Sequence, residues 1–242
     1  MKIEGSVVFV TGTNRGLGRA FVEDLLARGA RRVYAASREG ATHADPRVVA
    51  LRLDITNSEQ VTAAAAAAPD VELLVNNAGV AASYSVLSLE PEQLRRDMDV
   101  NVHGTLAITR ALLPALRTAR AAGKDVAIAN VLSILAMASM PVIGGYSSSK
   151  AALWSLMQAA RGELRAQGIR VHNAFPGLID TDMGRGLDMP KTPPEAVARA
   201  ILDGVVADQE DIAPDPMSAN VVETFLRDPR ELERQFGAVV GG

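Results

Sequence analysis

The stretch Val7-Val-Phe-Val10 followed by Thr11-Gly12-Thr13-Asn14-Arg15-Gly16-Leu17-Gly18 decides the fold. An apolar, β-branched run enters a glycine-spaced turn. Leu17, Phe21 and Leu25 then recur at helical spacing, and Gly29 reads as the stop. Glycines let a backbone turn sharply and approach a pyrophosphate closely. The helix start behind them offers free N–H groups and the positive end of a dipole. The spacing G-x-x-x-G-x-G departs from the common G-x-G-x-x-G fingerprint. A tight structural turn would use the same glycines, but strand, turn and helix in this order at the first βα junction favour a nucleotide.

Outward from that unit the same rhythm repeats. Arg32–Ala36, Val48–Leu53, Glu72–Val75, Asp125–Leu132 and Arg170–Phe175 read as strands. Most are almost continuously apolar, as in a parallel sheet covered on both faces. Helical segments lie between them: the alanine-rich Ser58–Ala68, with Asn57 or Ser58 as cap, then Pro91–Arg120 and Ser147–Arg165. Thr192-Pro-Pro-Glu195 has the form of a capping box, and Asp228-Pro229 opens a last helix. The expected architecture is α/β: a single-domain, doubly wound (Rossmann) parallel sheet of about seven strands over residues 1–242.

Composition narrows the function. With 242 residues, 48% hydrophobic, the chain is long enough for a sizeable core. A net charge of −3 argues against a dedicated nucleic-acid binder. The absence of Cys excludes disulfides and thiol nucleophiles, and only three His, far apart in sequence, make a metal site an unpromising reading. No apolar run has the length of a membrane span and no signal peptide opens the chain, so a cytoplasmic protein without membrane or nucleic-acid partners is expected.

Where a site for NAD commonly places a carboxylate on the ribose 2′-OH, the end of the second strand carries Ser37 and Arg38, and Arg15 sits in the glycine turn. Two cations and a hydroxyl suit a 2′-phosphate, which a carboxylate would repel. The expected cofactor is therefore NADPH or NADP+. The alternative is a pair of solvated surface arginines.

Tyr146-Ser-Ser-Ser-Lys150 places a phenol and an ammonium at i and i+4, on one helix face. An ammonium beside a phenol favours phenolate and lowers a pKa normally near 10. Such a phenol can exchange a proton near neutrality. Ser133 ends the fifth strand shortly before it, at the sheet edge where ligands bind in such folds. Alone, Tyr-x-x-x-Lys reads as an exposed helix pair, and Ser133 as a strand-end hydroxyl bonded to backbone.

Together these motifs resemble the short-chain dehydrogenase/reductase family, from Val7 to about Thr181. Thr11–Gly18 resembles its T-G-x-x-x-G-x-G turn, with Gly12, Asn14, Gly16, Leu17 and Gly18 as cofactor contacts. Asp54 resembles the acidic residue on the adenine. Asn76-Asn77-Ala78-Gly79 resembles N-N-A-G, which lines the cofactor groove, and Pro176-Gly177 resembles the P-G beside the nicotinamide. Thr181 resembles the threonine on the carboxamide. Asn101, Ser133, Tyr146 and Lys150 match the catalytic tetrad. The resemblance implies that Tyr146 exchanges a proton with the carbonyl oxygen, on which Ser133 also bonds. It implies that Tyr146 and Lys150 also contact the cofactor, Lys150 holding the nicotinamide ribose and lowering the Tyr146 pKa, and that Asn101 holds a water linking Lys150 to solvent.

There are departures. Leu132 stands where the family often has a second serine, the lid of 178–191 is short, and 214–242 lacks a signature. A short lid suggests an open site. Leu135, Ile143, Leu178, Met183 and Leu187 are the candidate pocket residues, all as compatible with core as with a pocket, and Arg185, the only candidate for a substrate carboxylate or phosphate, reads better as a solvated surface charge. They predict reduction of an apolar or bulky ketone or aldehyde, reversibly. A silent nucleotide-binding scaffold, or a dehydrogenase running mainly toward oxidation, is the alternative. The Ala- and Leu-rich helical segments 91–120 and 147–165 resemble those through which the family pairs, implying a homotetramer or homodimer.

Overall fold

In the computed structural model, residues 1–40, 42–82, 85–88 and 90–239 are described; the last three residues of the expected domain lie outside them. Seven strands form one parallel sheet: β1 (Val7–Thr11), β2 (Arg32–Ser37), β3 (Val48–Arg52), β4 (Leu73–Asn76), β5 (Val126–Val131), β6 (Ile169–Ala174) and β7 (Asp211–Ile212). Their order is β3-β2-β1-β4-β5-β6-β7. The order reverses between β1 and β4, whose carboxyl ends therefore flank the crevice where doubly wound sheets bind ligands.

Strand residues alternate between two cores, one on each face of the sheet. Val8 and Val10 point to the face covered by α1 (Gly16–Ala27) and α6 (Pro194–Val206), where Phe21, Leu25, Ile201 and Leu202 are buried. Val7 and Phe9 point to the other, covered by α2 (Ser58–Ala67), α4 (Thr105–Ala121) and α5 (Gly144–Arg165). Ile108, Leu112, Leu116 and Leu153 fill that side, and α7 (Pro216–Arg227) and α8 (Pro229–Gly237) close it with Val221, Leu232 and Phe236. Among the described residues, no helix is long and apolar enough to cross a membrane.

Two local readings change. The segment expected as one helix from Pro91 is α3 (Pro91–Met98), a π-turn over Asp99–Gly104, and then α4. Gly104 permits that turn to press on the loop after β3: a Cβ there would lie 2.7 Å from Ile55. The capping box at Thr192 does not form. Pro193 is the N-cap of α6 and no side chain caps it, because Thr192 is committed to a parallel bridge with Ile179, its N–H donating to the Leu178 carbonyl. Asn57 does cap α2, accepting from the Gln60 N–H at 3.0 Å.

Candidate active site

The glycines of the first turn are fixed by close approach. At Gly12, φ is +74°, and a Cβ would lie 2.9 Å from Ala78 Cα. At Gly18 it would strike the Gly12 carbonyl oxygen at 2.0 Å. Thr11 and Asn77 lock the turn to the end of β4. The Asn77 side-chain amide donates to the Thr11 carbonyl at 2.9 Å, and the Thr11 hydroxyl accepts from the Asn77 and Ala78 N–H groups, each at 3.0 Å. Helix α1 starts behind Arg15 with no capping side chain and no acid in its first turn. Its orphan N–H groups thus suit an anionic phosphate group.

The other candidate cofactor residues lie around this turn at the carboxyl edge of the sheet. Ser37 is buried, its hydroxyl accepting from the Gly40 N–H at 3.1 Å, while Arg38 is exposed. Asp54 is held below the usual carboxylate range, first by the Thr56 hydroxyl and N–H and then by the Arg38 charge. Glu39, which sequence reasoning passed over, accepts from the Asn14 amide at 2.8 Å and so spans from β2 to the glycine turn. Gly177 donates its N–H to Asp215 at 2.8 Å; the same carboxylate caps α7.

Arg15 has a partner that sequence reasoning did not give. Its guanidinium pairs with Asp182 at 2.9 Å, in the short 3-10 turn of the lid, and Asp182 also holds Arg185. Thr181 reaches the same place, with its methyl 3.1 Å from the Cβ position of Gly16. The lid thereby closes on the glycine turn, while Met183 and Leu187 stand 55% and 50% exposed. Leu135, Ile143 and Leu178 are half-buried.

Ser133, Tyr146, Lys150 and Asn101 are all buried at the carboxyl end of β5. Ser133 caps a 3-10 turn, Ile134–Ala136, its hydroxyl accepting from the Leu135 N–H at 3.1 Å. The Lys150 ammonium donates to the Val131 carbonyl at 2.9 Å and lies 5.7 Å from the Tyr146 ring centroid. Burial pushes Lys150 down to about 8. Burial also pushes Tyr146 up to about 12, against a hydrogen bond with Ser133 and aided by the charge of Asp97. The phenol thus moves opposite to the direction expected from the ammonium, because loss of water outweighs the lowering by the Ser133 hydrogen bond.

Asn101 occupies the π-turn, and its amide is spent on protein. It accepts from the Val80 N–H at 2.9 Å and donates to the Val80 carbonyl at 2.8 Å and the Ser149 hydroxyl at 2.9 Å. Ser149 in turn donates to the Tyr146 carbonyl at 2.7 Å. Asn101 therefore ties the loop after β4 to the helix that carries the phenol. Ser149 was not singled out from sequence, nor was the buried ladder Asn76–Asn130–Asn173, in which Asn76 donates to Asn130 at 2.9 Å and Asn130 to Asn173 at 3.1 Å.

The family model described as short chain dehydrogenase matches residues 6–191. A sorbitol dehydrogenase of Cereibacter sphaeroides is 32% identical over 197 residues, 78% of this chain and 76% of that protein. A short chain dehydrogenase from Burkholderia cenocepacia J2315, solved in complex with NADP, superposes with a TM-score of 0.92 at 39% identity over 100% of both chains. A 3-ketoacyl-(acyl-carrier-protein) reductase from Brucella melitensis, complexed with NADH, gives 0.78 at 26% identity over 90% of this chain and 93% of that one.

Proposed function

The chain belongs to the short chain dehydrogenase family, and from that premise we propose that it is an NADPH-dependent oxidoreductase interconverting an apolar or bulky ketone or aldehyde with its alcohol. The burial of Ser133, Tyr146 and Lys150 together, across the sheet edge from the uncapped start of α1, carries this reading. When bound, the nicotinamide supplies or accepts a hydride. The first turn of α1, Asn77–Gly79, Pro176, Gly177 and Thr181 would hold the cofactor, with Asp54 at its adenine.

Tyr146 acts as the proton donor in reduction. A phenol held at about 12 is protonated at neutral pH, so it can hydrogen-bond a carbonyl and yield its proton as negative charge develops there. Ser133 supplies the second hydrogen bond to that oxygen. Lys150, held on the Val131 carbonyl and cationic below about 8, stabilises the phenolate left behind. Since the Asn101 amide is occupied by Val80 and Ser149, a water on this residue would use its main-chain oxygen, in a π-turn of the kind found at functional sites.

Arg38 is the cation for a 2′-phosphate, with Arg15 joining if Asp182 releases it. One feature favours NADH instead: Glu39, beside Arg38, is a carboxylate able to accept from a ribose diol. A homotetramer or homodimer completes the proposal, and light scattering of a 25.5 kDa monomer would contradict it.

Initial rates of cofactor oxidation across a carbonyl panel, with NADPH and NADH, test the reading. Apolar ketones and aldehydes should react, with the higher kcat/KM for NADPH. Reaction of carboxylated or phosphorylated carbonyls alone would overturn the substrate class, a preference for NADH would overturn the cofactor, and no hydride transfer at all would leave the silent scaffold.

A further inference from the structure

Asp97 is 0% exposed, and neither carboxyl oxygen has a hydrogen-bond partner among the described residues. A buried charge without a partner is strongly disfavoured, and folds tolerate such groups mainly where function uses them.

Asp97 lies in the last turn of α3, just before the π-turn that carries Asn101. Its Oδ2 sits 3.4 Å from the Cβ position of Gly145, against the first turn of α5 and beside Tyr146 in sequence. That turn has orphan N–H groups and the positive end of the helix dipole. No side chain of α5 caps it, and it has no acid of its own. When ionised, Asp97 lays a negative charge beside that turn from a neighbouring helix, without a hydrogen bond to it. The charged and titratable groups around it are few. Arg96, on its own helix, is exposed and opposes the upward push of burial on Asp97. Asp99 and His103 of the π-turn are exposed. From α5 come Tyr146 and Lys150, both buried.

We propose that Asp97 is a positioning residue for proton transfer: lying against the first turn of α5, it adds to burial in setting the balance between phenol and phenolate at Tyr146, so that the proton passes to an alkoxide forming in the site. The proposal rests on the acid–base reading of Tyr146. It agrees with the direction of the Asp97 charge on the phenol, which adds to that of burial.

The test is the pH profile of kcat for alcohol oxidation, which needs the phenolate, in the parent, Asp97→Asn and Asp97→Val. Both variants remove an unsatisfied buried charge, so both should fold. The rising limb should move to lower pH by about half a unit to one unit in each, with the cofactor KM unchanged. A kcat lowered at every pH with the limb unmoved would mark a merely structural role and overturn the proposal. Tyr146→Phe, run alongside, separates the two readings. If it turns over at the parent rate, the acid–base reading itself fails. If it is inactive while the Asp97 variants superimpose on the parent, only the Asp97 proposal fails.

Discussion

The corner at the end of β5 is dry, and the edge formed by the glycine turn and the end of β2 is wet. At the first, Asn101, Ser133, Tyr146 and Lys150 are all buried, and loss of water moves a phenol up to about 12 and an ammonium down to about 8. At the second, Arg15 and Arg38 stand in solvent, and the Arg15–Asp182 pair is 73% and 37% exposed at its side chains. The same kinds of charge therefore carry different weight. In the corner, removal of one group leaves its neighbours without solvent to replace it. At the edge, water and salt screen each charge. In the proposed function, chemistry belongs to the first region and cofactor choice to the second.

Substitutions on both sides can break that contrast. Lys150→Met should have a large effect, a loss of about 10²- to 10⁴-fold in the rate of reduction. In the parent, the Lys150 charge is present below its lowered pKa and disappears above it. Reduction should therefore be flat at low pH and fall as pH rises through about 8; a rate that rises there would contradict the assignment. At the edge, Arg38→Ala should weaken NADPH about 10- to 150-fold, the value of one charge-assisted hydrogen bond, with exposure favouring the low end and NADH changed far less. An unmoved ratio of kcat/KM for the two cofactors would make Arg38 a solvated surface charge. Ser149→Ala removes two neutral hydrogen bonds, the one from Asn101 and the one to the Tyr146 carbonyl, and should lower kcat by at least about 2- to 12-fold with little change in cofactor binding. Asp182→Asn should have the smallest effect. An exposed ion pair is worth about 0–1 kcal/mol, so freeing Arg15 for the 2′-phosphate should slow NADPH release about fivefold at most, and the difference should vanish in about 1 M salt. A larger, salt-insensitive change would mean that the Arg15–Asp182 pair is not the screened surface contact drawn here.

What was legible in the sequence follows the range of the interactions. The first βα unit, the apolar strands and the Asn57 cap are set by neighbours in the chain, and each reads directly from pattern. β7 is two residues long, too short for any period to show. The Thr192 pattern misled because a tertiary bridge to Ile179 claimed the residue that a local rule assigned to capping. The π-turn at Asn101 is held by bonds to Val80 and Ser149, far away in sequence, so the long helix looked unbroken. Asp97 sits among Arg95, Arg96 and Asp99, a charged run with no local sign of burial, and it is tertiary packing, with Gly145 of α5 beside it, that buries it. Met183 and Leu187 show the reverse, apolar in sequence yet exposed in the lid. In Arg15, the residue type and place were legible, but its partner Asp182 was not.

The account depends most on the buried phenol, and a single-turnover experiment on pre-bound NADPH with a reactive ketone tests it directly. Tyr146→Phe removes one oxygen from a buried site without opening solvent access. Its NADPH dissociation constant should stay within about twofold of the parent, because the phenol hydroxyl is one contact among the many expected to hold the cofactor and its main partner is the reacting oxygen. Its rate of NADPH oxidation should fall by about 10²- to 10⁴-fold. Cofactor bound as tightly and oxidised as fast as in the parent would contradict the account.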